Sequence, residues 1–228
     1  MLLGFFYRTE CNKYLITAAH NALPTDIHIR DEVRGALLAE YTTDNYLPII
    51  AIFLETEDGW VTKIVDICDP DVKVIRPKGV DILAVEIDFD PGKYGYRVWT
   101  IGDLGNAELD EEELRIVGYD GGAFPDSDEE FSFELYEREI GKPVEVTFEN
   151  PPVDGMAGTP LFCVGVDTGS KTDYTGMSGS PIIGDRLVGI FVSEDMSPAS
   201  AREMMEWPET TRRIGYFRSK IIPQMTSG

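Results

Sequence analysis

The sequence predicts an all-β barrel protein, and three observations carry that expectation. The chain has 228 residues, long for one domain and short for two independent ones, so two small β-barrels sharing one interface fit it. Hydrophobic residues make up 43% and aromatic residues 11%, enough to fill real cores and to exclude a disordered chain. Short β-type runs, each closed off by turn formers, recur along the whole length, with few helical patches and no internal repeat.

The first runs fall at 3–7, 14–17, 49–54, 60–66 and 82–87. After them Asp88-Phe-Asp-Pro-Gly-Lys-Tyr-Gly95 concentrates turn formers near the middle and predicts a linker, with one barrel in residues 1–92 and the other in 93–228. The second part carries runs at 97–101, 114–118, 131–136, 144–148, 161–166, 181–183, 187–192 and 214–218. Residues 108–115 are a charge run and read as a solvated turn or helix edge. Ser197 can cap a helix with Pro198 at its first position, running through residue 207 and stopping before Pro208. A short C-terminal helix is expected from Ser219 toward Met225.

Charge and cysteine usage narrow the classes. The net charge is −21, from 41 acids against 20 bases, and such a surface repels phosphate backbones, so nucleic acid is excluded as a partner. The acidity itself fits a well-solvated surface, a salty cytoplasm or a basic substrate. Cys11, Cys68 and Cys163 are scattered and there are two His, which argues against a disulfide framework, a zinc site or any other metal centre. Reduced thiols point to a cytoplasmic protein. The N-terminal apolar run is too short and lacks the basic flank of a signal peptide. The longest apolar stretch elsewhere, 47–54, is broken by Pro48 and has strand rather than membrane length, so no membrane association is expected. Nothing in the sequence asks for a cofactor.

Three segments carry chemistry. Tyr14-Leu-Ile-Thr-Ala-Ala-His20 is an apolar strand that ends in small residues and then an imidazole, leaving room beside the ring for a nucleophile. A histidine after a strand is more often structural. Gly79-Val-Asp81-Ile-Leu-Ala opens an apolar strand with an acid, and a carboxylate there needs a charged or hydrogen-bonding partner. An imidazole that becomes cationic would supply one; a turn cap would do so equally. Gly176-Met-Ser178-Gly-Ser-Pro181 is a glycine-rich turn before the apolar strand Leu187-Val-Gly-Ile-Phe. Its glycines allow a tight turn whose N–H groups point inward, where they bind a developing oxyanion while Ser178 presents its hydroxyl.

Thr-Ala-Ala-His20, Asp81-Ile-x-Ala and Gly-x-Ser178-Gly-Ser-Pro, in that order, resemble the chymotrypsin/trypsin-like serine protease family over nearly the whole chain. The α/β-hydrolase elbow differs, since Ser180 stands where its second glycine is needed. The resemblance implies two antiparallel barrels with the active site in the cleft between them. It implies an endopeptidase with Ser178 as nucleophile, His20 as general base and acid, and Asp81 holding the His20 tautomer. The N–H groups of Gly176 and Ser178 would form the oxyanion hole. Thr172 and Asp173 would line the first substrate pocket, with Val192, Ser193 and Glu194 along its edge. Asp173 and Glu194 would favour a basic side chain there.

Two departures bear on the reading. Met177 stands where the digestive members carry the Asp that pairs with a freed N-terminus, so activation by N-terminal cleavage is not expected. The bacterial, phage and viral relatives are similar in this respect. Gly4-Phe-Phe-Tyr resembles the family's second strand, so the resemblance implies that the first strand is missing. The barrel is then open, uses another segment, or is completed by a partner protein. The substrate is expected to be a protein or peptide, or the chain's own polyprotein or partner. The competing expectations are a catalytically silent, protease-fold binding module and an esterase acting on small esters.

Overall fold

A computed structural model of the protein describes residues 3–22, 49–77, 80–105, 114–119, 135–147, 160–167, 177–194 and 213–226. The first part holds strands β1 (Gly4–Arg8), β2 (Lys13–Ala18), β3 (Ile49–Thr56), β4 (Gly59–Asp66), β5 (Val74–Ile75) and β6 (Ile82–Ile87). Then come β7 (Val98–Trp99), β8 (Leu114–Tyr119), β9 (Leu135–Thr147), β10 (Pro160–Asp167), β11 (Pro181–Ile183), β12 (Leu187–Glu194) and β13 (Arg213–Arg218). A single α-helix, α1 (Ile221–Thr226), follows among the described residues. The all-β expectation holds at this level.

β1, β2 and β6 read as nearly continuous apolar runs because both of their faces are covered. They lie in a five-stranded sheet of order β5-β6-β2-β1-β7. Successive side chains on a strand point to opposite faces. Phe6, Leu15, Leu83, Val85 and Ile87 therefore face one way and pack on the inner face of the β3–β4 hairpin, through Ile50, Ile52, Leu54 and Val65. Phe5, Tyr7, Tyr14, Ile16, Ile82 and Ala84 face the other way. They form one core with Leu187, Ile190, Phe217, Ile221, Ile222 and Met225 from the second half of the chain. The hairpin alternates buried and exposed residues, since only one of its faces is covered. Its turn places Gly59 at φ 112°, a conformation glycine adopts without a Cβ penalty.

In the second half, β10-β13-β12-β11-β8-β9 pair in a closed ring. Leu114, Ile116, Met177, Ile182, Val188, Phe191 and Tyr216 form a second core there, joined by Leu3 from just before β1. The helix α1 packs Ile221, Ile222 and Met225 inward. Its Pro223 sits in the first turn, where a missing N–H costs nothing.

Several elements differ from the sequence expectation. Within the described residues, the runs expected at 131–136 and 144–148 are joined by one long strand, β9. Its partner β10 shifts register between Val164 and Val166, opposite Gly141 to Val144. Pro143 has no N–H for the ladder, and the irregularity absorbs it without ending the strand. β5, two residues between Lys73 and Arg76, is too short to show alternation in sequence. The edge of β1, expected to lack a neighbouring strand, pairs in parallel with β7, Phe6 opposite Val98 and Tyr7 opposite Trp99. The Arg97 guanidinium stacks 3.6 Å from the Trp99 ring centre, covering that strand. The linker segment forms a 3-10 turn at Pro91–Tyr94, capped by the Asp90 carboxylate, which accepts from Gly92 N–H at 3.2 Å. The helix expected at 197–207 lies outside the described residues, as does the charge run 108–115 except for Leu114 and Arg115, which open β8. Among the described residues, no helix is long and apolar enough to cross a membrane.

Candidate active site

The antiparallel pairing of β2 with β6 sets Ala18 opposite Ile82. That register brings together the residues just past the end of β2 and just before the start of β6. The chain leaves β2 in a one-turn 3-10 helix, Ala19–Asn21, and Ala19 N–H donates to the Asp81 carbonyl at 3.2 Å. Asp81 then grips the next residue twice. Its Oδ1 accepts from the His20 backbone N–H at 2.9 Å, and its Oδ2 lies 2.6 Å from His20 Nδ1. The second bond fixes the ring's tilt and leaves Nε2 as the free nitrogen. The two side chains remain 33% and 24% exposed, so the ring stays open to solvent. The small Ala18 and Ala19 just before His20 are fully buried.

Ser178 sits in the turn that leads into β11. Gly179 has φ 97°, and its N–H donates to the Phe191 carbonyl at 2.7 Å. Ser180 N–H donates to Met177 O at 3.0 Å, and Phe191 N–H to Ser180 O at 2.9 Å. Among the described residues no backbone carbonyl accepts from Ser178 N–H. Met177 is buried in the barrel core with Leu3, so an apolar side chain anchors this turn. A Cβ on Gly179 would run into the Leu3 carbonyl and approach Thr17 Oγ1 to 2.7 Å, so the turn is pressed against the first half of the chain.

The two halves of the site also touch through Asn21. Its side-chain Nδ2 donates to the Ser178 carbonyl at 2.6 Å, across 157 residues of sequence. The Ser178 hydroxyl itself donates to the Val192 carbonyl on β12 at 2.9 Å. Among the described residues His20 and Ser178 share no hydrogen bond in this arrangement.

Of the residues read from sequence, His20 and Asp81 are in direct contact, and Ser178 is tied through Asn21 to the turn that carries His20. The Val192 side chain is buried in the core between the halves, so its carbonyl rather than its side chain meets the site. Ser193 and Glu194 lie at the end of β12. Thr172, Asp173 and Gly176 lie outside the described residues. Among the described residues, no group of three or more His, Cys, Asp or Glu converges to hold a metal ion. Sequence reading missed Asn21, Thr17 and Leu3. Asn21 alone gave a local signal, a short amide directly after the histidine. Comparison with protein-family models, with curated proteins and with solved structures finds no match to this chain.

Proposed function

We propose that the protein is a serine endopeptidase with a chymotrypsin-like, two-barrel arrangement, residues 1–92 carrying His20 and Asp81 and residues 93–228 carrying Ser178. The observation that carries this reading is the double grip of Asp81 on His20, at the backbone N–H and at Nδ1, on a turn bonded to the Ser178 carbonyl. A capping aspartate needs only the backbone bond. The second bond orients the imidazole and leaves Nε2 directed away from Asp81, which is what a general base requires.

In this mechanism Ser178 Oγ attacks the scissile carbonyl while His20 Nε2 takes its proton. His20 then gives the proton to the leaving amine, and water repeats the cycle on the acyl-enzyme. The Ser178 N–H, with that of Gly176, stabilises the tetrahedral oxyanion; one such donor is worth roughly 10²–10³ in rate. A rotation of the Ser178 side chain to another staggered rotamer releases its hydroxyl from Val192 O. That hydrogen bond contributes about 0.5–1.5 kcal/mol, a small cost beside the barrier lowered. Asp173 and Glu194 are proposed to favour a basic side chain in the first substrate pocket. The three scattered cysteines of the sequence fit a reducing, cytoplasmic setting.

A second reading, a catalytically silent binding module on the same fold, is favoured by one observation: the Ser178 hydroxyl is bonded to Val192 O and not to His20. A fluorophosphonate probe separates the two. The protease reading expects covalent labelling that maps to Ser178 and vanishes in a folded Ser178→Ala variant. A well-folded wild-type protein that takes no label supports the silent module.

A further inference from the structure

We infer that Asn21 is a positioning residue that couples the histidine turn to the nucleophile turn, an inference that rests on the protease reading. Asn21 is the last residue of the 3-10 turn Ala19–Asn21, so it moves with His20. Asp81 holds that turn from one side, through the Ala19 and His20 N–H groups and the His20 ring. Asn21 reaches out from the other side to the Ser178 carbonyl at 2.6 Å.

The bond acts on the peptide unit between Ser178 and Gly179. A trans peptide is planar, with its C=O and N–H pointing in opposite directions. Here the C=O accepts from Asn21 Nδ2 and the N–H donates to Phe191 O at 2.7 Å. One partner comes from the turn that carries His20, the other from β12 of the barrel. The plane is thereby fixed at both ends, and with it the direction from which the Ser178 side chain leaves the chain. Without Asn21 the unit keeps only its barrel-side bond, and the carbonyl is free to tilt relative to His20. Misplacing a reacting group by about 1 Å costs on the order of 10²-fold in rate.

The side chain fits this task. An amide is a neutral donor, so it grips a carbonyl without adding charge beside the Asp81–His20 pair. A carboxylate at the same position would offer only acceptors to the Ser178 carbonyl. The residue is part-buried, which limits competition from water.

The test uses the full chain and one fluorophosphonate probe, with the rate of labelling at saturation measured separately from the half-saturating concentration. Asn21→Leu keeps the size and removes the donor. It is expected to lower the saturating labelling rate by about 10–100-fold, leave half-saturation within about twofold and leave the unfolding midpoint near wild type. Asn21→Asp, the same shape without a donor, is expected to be impaired likewise and serves where Asn21→Leu does not fold. A labelling rate equal to wild type in either folded variant overturns the inference, as does a loss confined to half-saturation. Failure of the wild-type protein to label at all removes the protease reading and the inference with it. Labelling of wild type and of Asn21→Leu at one rate removes the inference alone.

Discussion

Replacing Gly179 by alanine tests how tightly the turn carrying Ser178 is seated against the first half of the chain. Two costs are separable. The backbone at φ 97° is one that residues with a Cβ rarely adopt, at about 1–3 kcal/mol. The added Cβ would also meet the Leu3 carbonyl and stand 2.7 Å from Thr17 Oγ1. Neither atom gives way easily, because Thr17 Oγ1 donates to Leu3 O at 2.5 Å and both are fixed by that bond. Forcing an extra carbon into such a site costs about 1–3 kcal/mol more. The sum, about 2–6 kcal/mol, is a large share of the roughly 5–15 kcal/mol that holds a typical domain folded. Gly59 and Gly95 supply the control. They sit at φ 112° and 84°, with nothing within 4 Å of an added Cβ, so alanine there carries only the backbone cost. Urea unfolding of the three alanine variants should place Gly179→Ala below the other two by the steric difference. A Gly179→Ala loss no greater than that of Gly59→Ala or Gly95→Ala would refute the close approach of Leu3 to this turn.

Three further outcomes are expected. Asp81→Asn should lower probe labelling of Ser178 by about 10⁴-fold, while Asp88→Asn, exposed on the loop after β6, should leave it unchanged; equal effects would show that the wrong acid was assigned. The Thr100 hydroxyl donates to Asp103 Oδ2 at 2.6 Å and, with the Thr100 N–H, holds that carboxyl below the usual carboxylate range. A carboxyl depressed on folding stabilises above its unfolded value and stops doing so as pH falls through its folded value. The gap in urea midpoint between wild type and Asp103→Ala should therefore be widest near neutrality and shrink as pH drops below about 4; a gap that widens in acid would contradict this. Ile82→Ala, fully buried in the core between the halves, should cost about 2–5 kcal/mol of stability. Ile64→Ala, 68% exposed on the outer face of the hairpin, should stay within about 0.5 kcal/mol.

Where sequence and structure part, the reason is range. His20, Asp81 and Ser178 could be picked out because each lies in a short segment whose character is local: a strand running into small residues, an acid opening an apolar strand, a glycine turn before another. β1, β2 and β6 were legible for the same reason, since burial on both faces makes each run apolar without interruption. β9 was read as two strands because Gly141-Lys-Pro143 has local turn chemistry, which a long pairing with β10 overrides. The partner of β1 was unreadable, because the two residues of β7 acquire strand geometry only from the edge they meet.

The sequence by itself determined the all-β class, most of the strand positions and the three residues at the candidate site, because alternation, turn formers and glycine-bounded motifs act within a few residues of one another. Only the tertiary structure decided that the first sheet is buried between a hairpin and a barrel-facing core, that Leu3 packs into the second core, and that Asn21 meets the Ser178 carbonyl. Those contacts join residues far apart in the chain, 157 positions in the last case, and they depend on strand register and closure of the sheets rather than on any local preference.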